Sequence, residues 1–181
     1  TQEEFLAETP KLAYAPTLLT NMDQGVDRLL QAIDAGKRIV IYGDYDADGV
    51  TSTVVLMKIL RCLTDNITYY IPSRIAEGYG LHNESIDRIR EEGGEFIVTV
   101  DCGSSSLNEI AYARSLGIDM VVTDHHNMKD EPVNELIINP RAPGDTYPFK
   151  GLAGVGVAYK LGLAVSRKRE IPRRVISEVL E

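Results

Sequence analysis

Five short apolar runs rich in β-branched residues punctuate the chain: RIVIY at 38–42, ITYYI at 67–71, FIVTV at 96–100, DMVVT at 119–123 and ELIIN at 135–139. Runs of this length and type predict strands. Between them the apolar spacing switches to a helical period. Val26, Leu29, Leu30 and Ile33 recur on one face of 22–35, and Gly36 follows as a stop. Further helices are expected over 50–63, over 83–92 with Asn83 as N-cap, from a Ser106/Glu109 capping-box pattern to Gly117, and from Gly154 onward. This alternation predicts an α/β fold with a mainly parallel five-stranded sheet and helices on both faces.

In open parallel sheets ligands bind beyond the carboxyl ends of the strands, and four of the five runs lead there directly into polar sequence. The first is followed by Asp44, Asp46 and Asp48 in GDYDADG, the second by Ser73 and Arg74, the third by Asp101, and the fourth by Asp124, His125 and His126. Carboxylates gathered on one edge repel one another unless a divalent cation, or a pair of them, sits between. Oxygen ligands with an imidazole suit Mn²⁺ or Mg²⁺ better than zinc. Asp46 and Asp48, two apart on an extended loop, are expected to present both carboxylates to one side. The same spacing opens an EF-hand loop, but Val55 stands where that loop needs a Glu, and a strand precedes the motif. Two of the three histidines lie side by side at a strand end, where neighbouring side chains point apart. A site with two cations about 3.5–4 Å apart, bridged by a carboxylate, is suited to hydrolysing a phosphate ester.

With 181 residues, 44% of them hydrophobic, the chain is expected to form one domain with its own core. No apolar run approaches the roughly 20 residues that span a bilayer, and the opening TQEEFLAET is acidic, so a cytoplasmic protein is expected. Cys62 and Cys102 belong to no CxxC pair and are read as reduced thiols. A net charge of −8 disfavours tight nucleic-acid binding, although two divalent cations would offset about four of those charges. Thr1 is not an initiator, and the helical spacing of Val175, Ile176, Val179 and Leu180 stops without a cap, as in a piece of a longer polypeptide. Arg74 and Tyr79 are candidate contacts to a phosphate and a base. Gly154 and Gly156 open a helix whose free N–H groups are a candidate phosphate site. The run Arg167, Lys168, Arg169, Arg173 and Arg174 reads mainly as a solvated face.

The triplet Asp124-His125-His126, together with GDYDADGVTST, EGYGL and PFKGLAGVGVAYKL, resembles the DHH phosphoesterases and, among them, the RecJ-like exonucleases specific for single-stranded DNA. The resemblance covers essentially all of 1–181, as a DHH domain without its C-terminal substrate-binding domain. It implies a hydrolase that removes nucleotides from the 5′ end of single-stranded DNA with two Mn²⁺ or Mg²⁺ ions, in the company of repair or replication proteins. Asp46 and Asp101 would hold one ion, Asp48, Asp101 and His125 the other; Asp124 would orient His125, and His126 would face the scissile phosphate. Tyr42 stands where many of these enzymes have a histidine ligand, so the first ion would rely on Asp44, water or substrate there. A further aspartate ligand is expected beyond Glu181, so the isolated segment is expected to be weakly active or inactive and to bind DNA weakly. A phosphodiesterase of short oligonucleotides or cyclic dinucleotides, and a non-catalytic module of a replication or repair assembly, fit the same residues.

Overall fold

The structure is a computed structural model that describes residues 14–75, 77–128 and 135–179. The strands are β1 (Ile39–Tyr42), β2 (Ile67–Tyr70), β3 (Phe96–Thr99), β4 (Asp119–Thr123) and β5 (Ile137–Ile138). They form one parallel sheet in the order β2-β1-β3-β4-β5. The helices are α1 (Met22–Asp34), α2 (Ala47–Leu60), α3 (Asn83–Glu91), α4 (Leu107–Ser115), α5 (Gly154–Lys168) and α6 (Arg173–Glu178).

Side chains alternate across a strand, and here both alternations are apolar because helices cover both faces. Ile39, Ile41, Phe96, Val98 and Val121 pack with Leu29 of α1, Leu56 and Ile59 of α2, and Leu161 of α5. Val40, Tyr42, Ile97 and Val122 face the other way, onto Ile86 and Ile89 of α3 and Ile110 and Ala113 of α4. The chain leaves β1 for β2 on one side and returns to place β3 on the other, so a crevice opens between the carboxyl ends of β1 and β3. Among the described residues no helix is long and apolar enough to cross a membrane.

Local departures from the sequence expectations have identifiable causes. The second helix begins at Ala47 rather than Val50, because Asp46 caps it: its Oδ1 accepts from the Gly49 amide at 2.9 Å. GDYDADG is therefore half loop and half first helical turn, not an extended loop. A Cβ at Gly49 would overlap the Asp44 backbone, so this tight entry requires glycine. β5 is only two residues long, since Asn139 turns its amide toward the His126 carbonyl and Pro140 has no N–H to continue a ladder. His82, not Asn83, is the N-cap of α3, and Ser106 caps α4 without a side-chain bond. Val175, Ile176 and Val179 pack against the core, while Leu180 lies outside the described residues.

Candidate metal centre

The acidic and histidine residues at the strand ends meet above the β1/β3 crevice. Asp44 and Asp46 come from the β1–α2 turn, Asp101 from the end of β3, and Asp124, His125 and His126 from the end of β4. One ligand atom from each of Asp44, Asp46 and Asp101 falls within 4.8 Å of the others, and so do atoms from Asp101, His125 and His126. Asp101 belongs to both groups. His125 Nε2 lies 3.0 Å from Asp101 Oδ1 and 3.6 Å from Asp48 Oδ2.

Burial makes this arrangement costly for the protein alone. Asp44 and Asp101 are 2% and 1% exposed, and the Oδ1 atom of each is buried without a hydrogen-bond donor. The His125 contact to Asp101 lacks the direction of a hydrogen bond. Burial, and then repulsion from Asp48 and Asp46, pushes the Asp101 carboxyl up to about 8; burial likewise raises Asp44. Asp101 also sits at φ 63°, a left-handed conformation that an Asp tolerates better than most residues. Two orphaned carboxylate oxygens among oxygen ligands and imidazole fit a hard divalent cation.

The two histidines are held differently. The sequence expectation that Asp124 orients His125 is corrected: its Oδ1 lies 2.8 Å from Nδ1 of His126, while to His125 it is joined only through the backbone amide, at 2.7 Å. The two imidazoles lie side by side, their centroids 4.5 Å apart, and the His125 ring turns its Nε2 to Asp101. Asp124 is pinned by the Ser104 amide on its other oxygen. Burial works to raise its carboxyl, but hydrogen bonds from His126 and Ser104 outweigh this and hold it below the usual range. The same bond raises His126, favouring the imidazolium.

Asp48 is also redirected. From the first turn of α2 it accepts the Gly154 amide at 2.8 Å and the Val155 amide at 2.7 Å, gripping the N-terminus of α5. The phosphate site expected at Gly154 is therefore filled by a protein carboxylate, and Gly156 packs on Leu152. Gly154 has a different necessity: a Cβ there would overlap the Asp101 carboxylate. Tyr42 turns away from the crevice, stacking on Tyr70 and donating to the Gly80 carbonyl at 2.9 Å. Tyr79 is at the rim, its hydroxyl 3.0 Å from His126 Nδ1. Arg74 lies over the Tyr45 ring, 5.6 Å from its centroid, beside the aspartate loop. In the basic run Lys168 and Arg169 pair with Asp27 and Asp34 of α1. Sequence reasoning passed over Ser104 and Asn139, whose only signal was an Asn at a strand end; Asn139 Nδ2 bonds both Ser104 Oγ and the His126 carbonyl at 2.9 Å.

A family profile described as "DHH family, N-terminal domain" matches residues 38–181, which contain Asp44, Asp46, Asp48, Asp101, Asp124, His125 and His126. The chain belongs to the DHH family. It is 46% identical over 153 residues to the single-stranded-DNA-specific exonuclease RecJ of Bacillus subtilis, a match covering 84% of this chain and 20% of that protein. Among solved structures, exonuclease RecJ bound to manganese superposes with a TM-score of 0.73 at 34% identity, over 85% of this chain and 39% of that one. RecJ of Thermus thermophilus in complex with Mn²⁺ also gives 0.73, at 31% identity, over 90% of this chain and 23% of that one. The chain thus spans well under half of these relatives. In this DHH domain the triplet is held residue by residue: His125 faces Asp101, and His126 is held by Asp124.

Proposed function

We propose that this DHH domain is the catalytic part of a RecJ-like, metal-dependent phosphodiesterase that removes nucleotides from the 5′ end of single-stranded DNA. One observation carries the metal-dependent chemistry: the buried, donorless oxygens of Asp44 and Asp101 converge with Asp46 and His125 on the β1/β3 crevice. Similarity to RecJ proteins, including those solved with manganese, supports the substrate class and the ion.

In this reading Asp44, Asp46 and Asp101 hold one Mn²⁺ or Mg²⁺, and Asp101 with His125 and Asp48 holds the other. The ions supply charge neutralisation and an activated water when bound. The chain's own groups do the rest. Asp124 fixes the proton on Nδ1 of His126, leaving Nε2 to meet the phosphate; protonated, it donates a hydrogen bond to an oxygen that gains charge. Arg74 and Tyr79 at the rim hold the strand. Repair or replication proteins are the fitting partners, and the cytoplasm the fitting compartment.

Calorimetric titration with Mn²⁺ tests the metal assignment. Binding is expected in the wild type and lost in Asp101→Asn, and equal binding by both would sink it. Strands labelled at either end, single or duplex, test the reaction: release of labelled mononucleotide from 5′-labelled single strand alone is expected.

A further inference from the structure

The loop after β5 carries a second constellation, apart from the carboxylates. Asn127, Arg141, Ala142, Asp145, Lys150 and Gly151 line an open pocket of about 620 Å³. Asn127 directly follows His126, so the pocket begins one residue beyond the proposed metal centre.

Arg141 is oriented there by neutral acceptors. Its Nε donates to the Lys150 carbonyl at 3.0 Å and its Nη1 to Asn127 Oδ1 at 3.3 Å. Its backbone amide donates to Asn139 Oδ1 at 2.8 Å, and Asn139 in turn bonds the His126 carbonyl. The guanidinium is therefore held in register with the histidine loop. Among the described residues no carboxylate pairs with it, whereas Arg88, Arg114, Lys168 and Arg169 each have one. Lys150 is less available: its Nζ donates to the Asp145 carbonyl at 2.6 Å and lies 3.3 Å from Asp145 Oδ1. The other Asp145 oxygen accepts the Thr20 amide at 2.8 Å. Lys150 and Asp145 thus cancel, and among the described residues lining the pocket Arg141 is the charge left over.

An exposed guanidinium, pre-oriented and, among the described residues, without a carboxylate partner, matches the geometry of a phosphate. What sets this guanidinium apart is its fixed orientation beside the histidine loop, held by Lys150, Asn127 and Asn139. We infer that Arg141 anchors a backbone phosphate of the substrate strand, adjacent to the phosphate at the metal centre. The inference rests on the phosphodiesterase reading above and extends it by one subsite. The contact is to phosphate alone, so it is indifferent to base sequence.

The test measures binding of a fluorescent twelve-nucleotide single strand with phosphorothioate linkages, in manganese, by anisotropy across a salt series. Arg141→Ala is expected to weaken binding about tenfold and to reduce the slope of log affinity against log salt by about 0.7, the share of one phosphate on a single strand. Arg141→Lys keeps the charge but not the fork, and recovers most of the slope and part of the affinity. A strand with a neutral methylphosphonate next to the scissile linkage is expected to bind the wild type about tenfold more weakly, with no further loss in Arg141→Ala. Calorimetric Mn²⁺ affinity of Arg141→Ala stays at the wild-type value. An unchanged salt slope in Arg141→Ala, additive losses from the methylphosphonate and the substitution, or a fall in its Mn²⁺ affinity would each overturn the assignment. Failure of the metal reading shows instead in the Asp101→Asn calorimetry, so the two are separable.

Discussion

At Asp101 three constraints meet in one side chain: almost complete burial, a left-handed backbone and membership of both ligand groups. Its folded-state pKa of about 8 lies above the ordinary 3.8, so between those values the folded metal-free protein holds a proton that the unfolded chain has released. Stability must then fall as pH rises through that interval, and level off above about 8. Asp101→Asn keeps the shape and tolerates the left-handed conformation without the charge. In EDTA it is expected to match the wild type near pH 4 and to exceed it by on the order of 6 kcal/mol at pH 9; thermal melts from pH 4 to 9 check this, and parallel curves would refute it. A cation must displace the same proton, so Mn²⁺ affinity is expected to climb about tenfold per pH unit as pH approaches 8 and to flatten beyond. At this scale the sequence was legible in residue type: aspartate and histidine at strand ends stand out. Which carboxylate touches which ring was not, because the two rings lie only 4.5 Å apart and it is the path of the loop that brings Asp101 to the first and Asp124 to the second.

Two helix N-termini are built into the site, and each is held by a carboxylate from GDYDADG. Asp46 caps its own helix α2, a local bond readable in principle from sequence. Asp48 reaches across to the Gly154 and Val155 amides of α5, more than a hundred residues away in the chain. Its two charge-assisted bonds at a part-buried helix end outweigh one local cap. Asp48→Ala is expected to cost about 2–4 kcal/mol in metal-free protein, against about 1 kcal/mol for Asp46→Ala; urea unfolding in EDTA measures both, and equal losses would contradict the cross-chain role. Gly154→Ala should act by another route, driving a methyl into Asp101, and is expected to lower Mn²⁺ affinity at least tenfold while a control Gly36→Ala leaves it unchanged. Strand positions and the α1 helix were readable from periodicity; the start of α2 was not, because the cap that moves it three residues earlier belongs to the metal motif itself.

For the whole molecule, the sheet brings together carboxylates that the fold by itself does not compensate. Binding of cations to the folded state alone must raise stability by mass action, by about 2.7 kcal/mol per site at a hundredfold excess over Kd. In a chain of this size that corresponds to about 5–10 °C in Tm. Scanning calorimetry with and without Mn²⁺ should show the rise, EDTA should reverse it, and an indifferent Tm would deny the cluster its metal.

Burial periodicity and side-chain type are properties of a linear string, and they were enough to place the strands, the α/β class, the polar ends of β1, β3 and β4 and the chemistry those residues share. Packing in three dimensions set everything else: the strand order that opens the β1/β3 crevice, the capture of Asp48 by α5, the choice of His126 by Asp124, and the orienting of Arg141 beside the histidine loop. Each of those depends on contacts between segments or side chains whose directions are set by how the helices pack on the sheet and not by any local pattern.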